Sequence, residues 1–157
     1  MELPVIIASL VIIAAFLITA AISDLRHRRI SNRLNSAFAL SYVVFALLML
    51  ITGKATFSSV GMSVLLAGGV FLLFALFFYL GAMGGGDVKL AGAAALWVPA
   101  GAIPGFLIMT ALFGGLVALA TLIHARFNKL DNPEVPYGVA IAAGGLWVCS
   151  QKLFEAS

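Results

Sequence analysis

The chain has 157 residues, 63% apolar and only 10% charged, where a soluble domain carries roughly a quarter of its residues charged. With a mean hydropathy of +1.16, lipid rather than water is expected around most of it, and little length remains for an aqueous catalytic domain. The formal charge of +3 comes from nine basic and six acidic residues, too few for a broad phosphate-binding face, so no nucleic-acid partner is expected.

Charge-free runs occupy 3–23, 34–53, 55–86, 90–125 and 135–151. A helix needs about 20 residues to cross about 30 Å of hydrocarbon. Pro99, Gly101 and Pro104 divide the long fourth run, because proline removes a backbone donor and distorts the helical ladder. Six spans are therefore expected, at approximately 4–22, 36–52, 60–80, 86–99, 104–124 and 135–151, within a single transmembrane domain over 1–157; five spans are the alternative. The first segment has no basic region before it and no convincing small-residue cleavage site, so it is read as a span and not as a removed signal peptide. Arg26, Arg28, Arg29 and Arg33 follow it and assign 24–35 to the cytoplasm. Alternation then places Lys89, Arg126 and Lys129 inside, Lys54 and Lys152 outside, and both termini outside. Gly68-Gly69 and Gly114-Gly115 are expected at close helix contacts, since helices in lipid associate through packing. Cys149 is the sole cysteine, which excludes an intrachain disulfide and suits a small packing residue.

Two acids stand beside apolar spans. Asp24 closes the first span, and Asp87 follows Gly84-Gly85-Gly86 at the start of the fourth. The alternating topology returns both to the cytoplasmic boundary, although 62 residues lie between them. Neighbouring carboxylates share a proton, because ionising both at short range is unfavourable. Such a pair suits peptide hydrolysis, one member activating water while the other protonates or polarises the amide carbonyl. An ion-binding or structural pair is the competing reading of the same residues.

The surrounding residues carry weaker signals. The three glycines permit unusual backbone geometry beside Asp87, or simply make a tight turn and allow close packing, and they lack the Gly-Lys-Ser/Thr ending of a phosphate loop. Lys89 is read as a cytoplasmic anchor, with local or substrate support as its alternative. Asn32 and Asn35 either cap and pack the second helix or touch substrate. His27 and His124 are read as interface residues, and no clustered ligand set implies a metal or cofactor. In Asn132-Pro133-Glu134-Val135-Pro136-Tyr137-Gly138, Pro136 and Gly138 shape the backbone, while Tyr137 either anchors at the interface or approaches the carboxylates. Asp131 and Glu134 are assigned to a wet loop.

At these residues the chain resembles the type IV prepilin leader peptidases, especially the short forms associated with tight-adherence or Flp pili. Asp24 through Asn32 is similar to the family's Asp-Leu, basic, Ile-Pro-Asn segment, and Gly84-Gly85-Gly86-Asp87 matches its Gly-x-Gly-Asp motif. Val88-Lys89-Leu90 and Pro136-Tyr137-Gly138 extend the likeness over nearly all of the chain. Ser31 stands where proline is usual, a departure expected to soften the turn.

The resemblance implies an all-α polytopic membrane protein, a six-helix intramembrane aspartic peptidase with Asp24 and Asp87 catalytic and no cofactor. Gly84, Gly86, Pro136, Tyr137 and Gly138 would shape its site. Its substrate would be a prepilin or pseudopilin in the bacterial inner membrane, cut after the glycine that ends a basic cytoplasmic leader, with pilus-assembly proteins as further partners. Larger relatives also methylate the new amino terminus through an added cytoplasmic region, for which this chain lacks room, so methyl transfer is not expected. The alternative is a noncatalytic pilus-assembly factor or a small ion-coupled transporter; the latter would ideally show paired broken spans, which are not evident.

Overall fold

The computed structural model describes residues 3–128 and 135–156, and among these the secondary structure is helical throughout. The helices are α1 Leu3–His27, α2 Asn32–Ile51, α3 Phe57–Tyr79, α4 Gly85–Trp97, α5 Ile103–Asn128 and α6 Tyr137–Ala156, with a short 3-10 turn at Ala100–Ala102. Lys129, Asp131, Asn132, Pro133 and Glu134, assigned above to the inside or to a wet loop, lie outside the described residues.

Local chemistry sets most boundaries. Arg28 takes a left-handed conformation at φ +52° just after α1, a geometry that costs a non-glycine residue roughly 1–2 kcal/mol. Ser31, at the position where proline was the expected residue, instead caps α2: its hydroxyl accepts from the Leu34 N–H at 3.2 Å. Thr56 and Ser59 form a reciprocal capping box that starts α3. Gly81, at φ +74°, supplies the left-handed turn that ends α3. Pro99 and the 3-10 turn separate α4 from α5.

Four stretches are long and apolar enough to cross a membrane by length and composition: Leu3–His27, Asn32–Ile51, Phe57–Tyr79 and Ala100–Asn128. The protein is thus all-α and multi-pass. In α4 the 13 residues rise only about 20 Å, less than the hydrocarbon thickness, and nine of them are buried. Ala91, Gly92, Ala93, Ala94 and Ala95 give it a narrow profile that lets neighbouring helices approach on several sides.

Helices pack as two wings, α2 and α3 against α4, and α1 and α5 against α6, joined where α4 meets α6. Phe16, Phe38, Tyr42, Phe45 and Trp97 form an aromatic cluster linking α1 and α2 to the end of α4. Large apolar side chains such as Leu65, Leu72 and Leu116 point outward, as expected of a surface facing lipid.

The tight glycine contacts differ from those expected. Around Gly68, Gly69 and Gly115 there is open space, and a Cβ on Gly114 would make only ordinary contact with Tyr137 and Ala140. Close packing falls instead on α6: a Cβ on Gly144 would collide with Thr110 and lie 3.1 Å from the Phe106 carbonyl oxygen, and one on Gly145 would meet Leu17 Cδ1 at 2.5 Å. Gly144→Ala should lower stability by about 1–3 kcal/mol through overpacking, whereas Gly115→Ala should be neutral or stabilising. Thermal unfolding of the two variants in detergent, read against wild type, checks the contrast; equal midpoints would contradict the α5–α6 packing described.

Candidate active site

The end of the bundle that gathers the C-terminus of α1 and the N-termini of α2, α4 and α6 holds both acids. Asp24 lies in the last turn of α1 and is 4% exposed; Asp87 lies in the first turn of α4 and is 8% exposed. Buried carboxylates need donors, because desolvation without compensation costs several kcal/mol per ion. Here the donors are backbone amides at helix starts. The Gly138 N–H, in the first turn of α6, donates to Asp24 Oδ2 at 2.8 Å. The Gly84 N–H donates to Asp87 Oδ2 at 3.2 Å. The two acids are close enough for the charge of Asp24 to act on Asp87. Two helix N-termini, the positive ends of α4 and α6, therefore converge on one acidic pair.

The glycines act by close approach. Gly84, Gly85 and Gly86 have no left-handed residue among them; Gly84 is extended, at φ −79° and ψ 149°, and α4 begins at Gly85. That corrects the expectation of unusual backbone geometry or a tight turn beside Asp87 and leaves close packing as their role. A Cβ on Gly86 would lie 3.0 Å from the Ile30 carbonyl oxygen. A Cβ on Gly138 would lie 2.6 Å from Ile30 Cδ1 and 2.8 Å from Asp24 Oδ2. Both positions need a bare backbone so that the α1–α2 connection, α4 and α6 can meet.

Ile30 is thus a buried wedge between the two halves of the site, and the sequence reading missed it. Its signal was available: a lone aliphatic residue within Arg28-Arg29-Ile30-Ser31-Asn32. Asn32 and Asn35 do not cap α2, since Ser31 does. Asn32 Oδ1 accepts from Lys89 Nζ at 2.8 Å on the exposed rim, so Lys89 bridges α4 to α2. Asn35 is buried, and its Nδ2 donates to the Gly86 carbonyl at 2.9 Å. Pro136 is buried just before α6, and Tyr137 is half-buried with its ring near Gly114. His27 is exposed at the end of α1. Among the described residues no group of three or more His, Cys, Asp or Glu side chains is placed to hold a metal ion.

Chemically, the arrangement offers two adjacent carboxylates, sheltered from bulk water and stabilised by fixed amide dipoles. Such a pair can carry one proton between its members and deliver it to or from a bound reactant.

A cavity of about 500 Å³ lies between α3 and α5 and reaches the site end of the bundle. Phe74, Phe77, Leu107 and Gly114 line its walls, with Met83 and Tyr137 at the end nearest the acids. These two residues immediately precede Gly84 and Gly138, the amides that hold the carboxylates.

A model described as the type IV leader peptidase family matches residues 11–119. The match includes Asp24, Asn35 and Asp87, and stops before α6. No curated protein and no solved structure matches the chain.

Gly138→Ala should force Asp24 from its amide and lower stability by about 1–3 kcal/mol. Gly84→Ala, whose Cβ would meet only Asp87 Oδ2 at 3.2 Å, should cost less. Unfolding midpoints of the two purified variants decide the order, and the reverse order would contradict the geometry around α6.

Proposed function

Because the chain belongs to the type IV leader peptidase family, we propose that it is an aspartic endopeptidase that removes the leader of Flp-type prepilins or pseudopilins, with Asp24 and Asp87 as its catalytic residues. The observation that carries this reading is the burial of both acids at one end of the bundle, each held by an amide at a helix start, Gly138 for Asp24 and Gly84 for Asp87. That arrangement brings together two acids from distant parts of the chain at the end of the bundle bearing Arg26, Arg28 and Arg29. By the positive-inside rule that end faces the cytoplasm of a bacterial inner membrane; six segments traversing the bundle, the short α4 among them enclosed by its neighbours, would put both termini outside.

In the proposed reaction one carboxylate is ionised and the other protonated. The ionised member takes a proton from water as the water oxygen bonds to the scissile carbonyl carbon. The protonated member donates to the carbonyl oxygen. Collapse of the tetrahedral adduct re-forms the C=O bond and breaks the C–N bond: a hydroxyl of the adduct returns its proton to the second carboxylate while the leaving amine receives the proton held by the first carboxyl. The site ends with one proton on the pair, as it began. Hydrolysis alone is proposed, without methyl transfer to the new amino terminus.

The cleft between α3 and α5 supports a membrane-embedded substrate. Its apolar walls suit a hydrophobic segment arriving laterally, and Met83 and Tyr137 would pass the chain's cytoplasmic end toward the acids. The basic leader would stay in water beyond α1, and pilus-assembly proteins would take up the mature product. Pro136 and Gly138 would shape this end of the site, as would Gly84 and Gly86, with Asn32 and Lys89 supporting it from the rim.

Asp24→Asn and Asp87→Asn should each slow cleavage by about 10²- to 10⁴-fold while the protein still inserts and folds. Mass spectrometry of a coexpressed prepilin, locating the cut at the leader glycine, provides the measurement; folded wild type that cuts none of a panel of prepilins would reject the reading. Activity needs one proton across the pair, so rate against pH should be bell-shaped and flatten when either Asp is replaced. Ala111→Phe, which fills the cleft wall, should raise KM for intact prepilin and leave the KM of a soluble leader peptide unchanged. Equal effects on both substrates would remove the cleft from the substrate path.

A further inference from the structure

Asn35 stands in the first turn of α2, is 4% exposed, and donates from Nδ2 to the Gly86 carbonyl at 2.9 Å. That carbonyl belongs to the peptide unit joining Gly86 to Asp87. A peptide unit is planar, so an anchor on its oxygen fixes the plane that carries the Asp87 nitrogen and Cα. The direction in which the Asp87 side chain leaves the backbone follows from that plane. On the other side, the Ile30 carbonyl oxygen lies 3.0 Å from where a Gly86 Cβ would be, so the same unit is bounded from the α1–α2 connection.

A second contact repeats the first one helical turn away. Asn32 Oδ1 accepts from Lys89 Nζ at 2.8 Å. Asn32 and Asn35 are three residues apart on α2, as are Gly86 and Lys89 on α4, and residues at that spacing share a helix face. Together the two bonds tie the first turn of α4 to the start of α2. The outer bond is exposed to solvent and the inner one is buried.

The rest of the Asn35 amide is poorly used. Its Oδ1 is buried without a hydrogen-bond partner, which burdens stability in a way that an apolar side chain of similar size would not. Filling space between α2 and α4 would favour leucine here. The donor on Nδ2 is what distinguishes asparagine from that substitute.

We infer that Asn35 is a positioning residue for peptide hydrolysis: through the Gly86 carbonyl it holds the Gly86–Asp87 peptide plane and thereby aims the Asp87 carboxylate at Asp24. The inference rests on the two-aspartate reading of the site. Asn35 itself does not touch the reacting atoms.

The test uses the full chain in detergent or liposomes. Asn35→Leu removes both the donor and the unpaired acceptor. It should keep or raise the unfolding midpoint, with kcat for prepilin cleavage reduced about 10- to 100-fold and KM within about 2-fold of wild type. A purely structural residue would instead lose stability and activity together, and that result, or an unchanged kcat, overturns the inference. A second readout is independent of hydrolysis. With Cys149→Ala as background, Asp24→Cys and Asp87→Cys are bridged by a short bifunctional thiol reagent, and adding Asn35→Leu should slow bridging severalfold. Unchanged bridging overturns the inference even if kcat falls. If wild type cuts no prepilin, the proposed function fails, and the bridging rate still decides whether Asn35 places residue 87.

Discussion

Two carboxylates buried at one end of an apolar bundle impose the demand on which the rest of the structure depends. Neither Asp24 nor Asp87 reaches bulk water freely, and the charge of Asp24 acts on Asp87. Backbone amides answer that demand. The first turns of α4 and α6 have N–H groups that no residue within the helix can satisfy, and Gly84 and Gly138 direct theirs at the acids. The starting points of two helices are thereby tied to the positions of two side chains. A shift of α6 by one residue would withdraw the Gly138 donor from Asp24.

The short α4 follows from the same demand. A helix that must deliver its N-terminus to the interior of the assembly cannot present an ordinary lipid-facing surface, and its run of Ala and Gly lets α2, α3 and α6 come close. The longer helices stand around it and turn leucines outward. Separation of the two wings opens a cleft, because α3 and α5 each pack on a different inner helix and leave a space leading to Met83 and Tyr137. The rigid centre and the open side arise from one pattern of packing.

Individual residues show how far the sequence could be read. Asp24 and Asp87 were visible because an acid beside an apolar span stands out, and the parity of the spans brings both to one end. The glycines beside Asp87 were visible as a motif with close packing among their expected roles, but the partner was not: Gly86 makes room for the Ile30 carbonyl and adopts no special φ. Gly68-Gly69 and Gly144-Gly145 look alike as dipeptides, yet only the second pair lies at a tight contact. Asn35 was recognised as polar and local, whereas its bond crosses 51 positions to Gly86. Gly138 was noted for backbone shape, and its donated N–H, present in every residue except proline, leaves no mark in sequence.

Composition and charge placement by themselves determined the solvent, the helical class and the small set of groups able to do chemistry. In a chain this apolar, each charge is costly to place in lipid and therefore marks a boundary or a site. Tertiary structure alone decided which faces pack, which amides meet the acids, and where the wall of the bundle opens. The reason is that lipid and protein interior are equally apolar, so no polarity difference tells an inward leucine or glycine from an outward one. Packing geometry must make that choice, and it does so through contacts between residues far apart in the chain, from Gly138 to Asp24 and from Asn35 to Gly86.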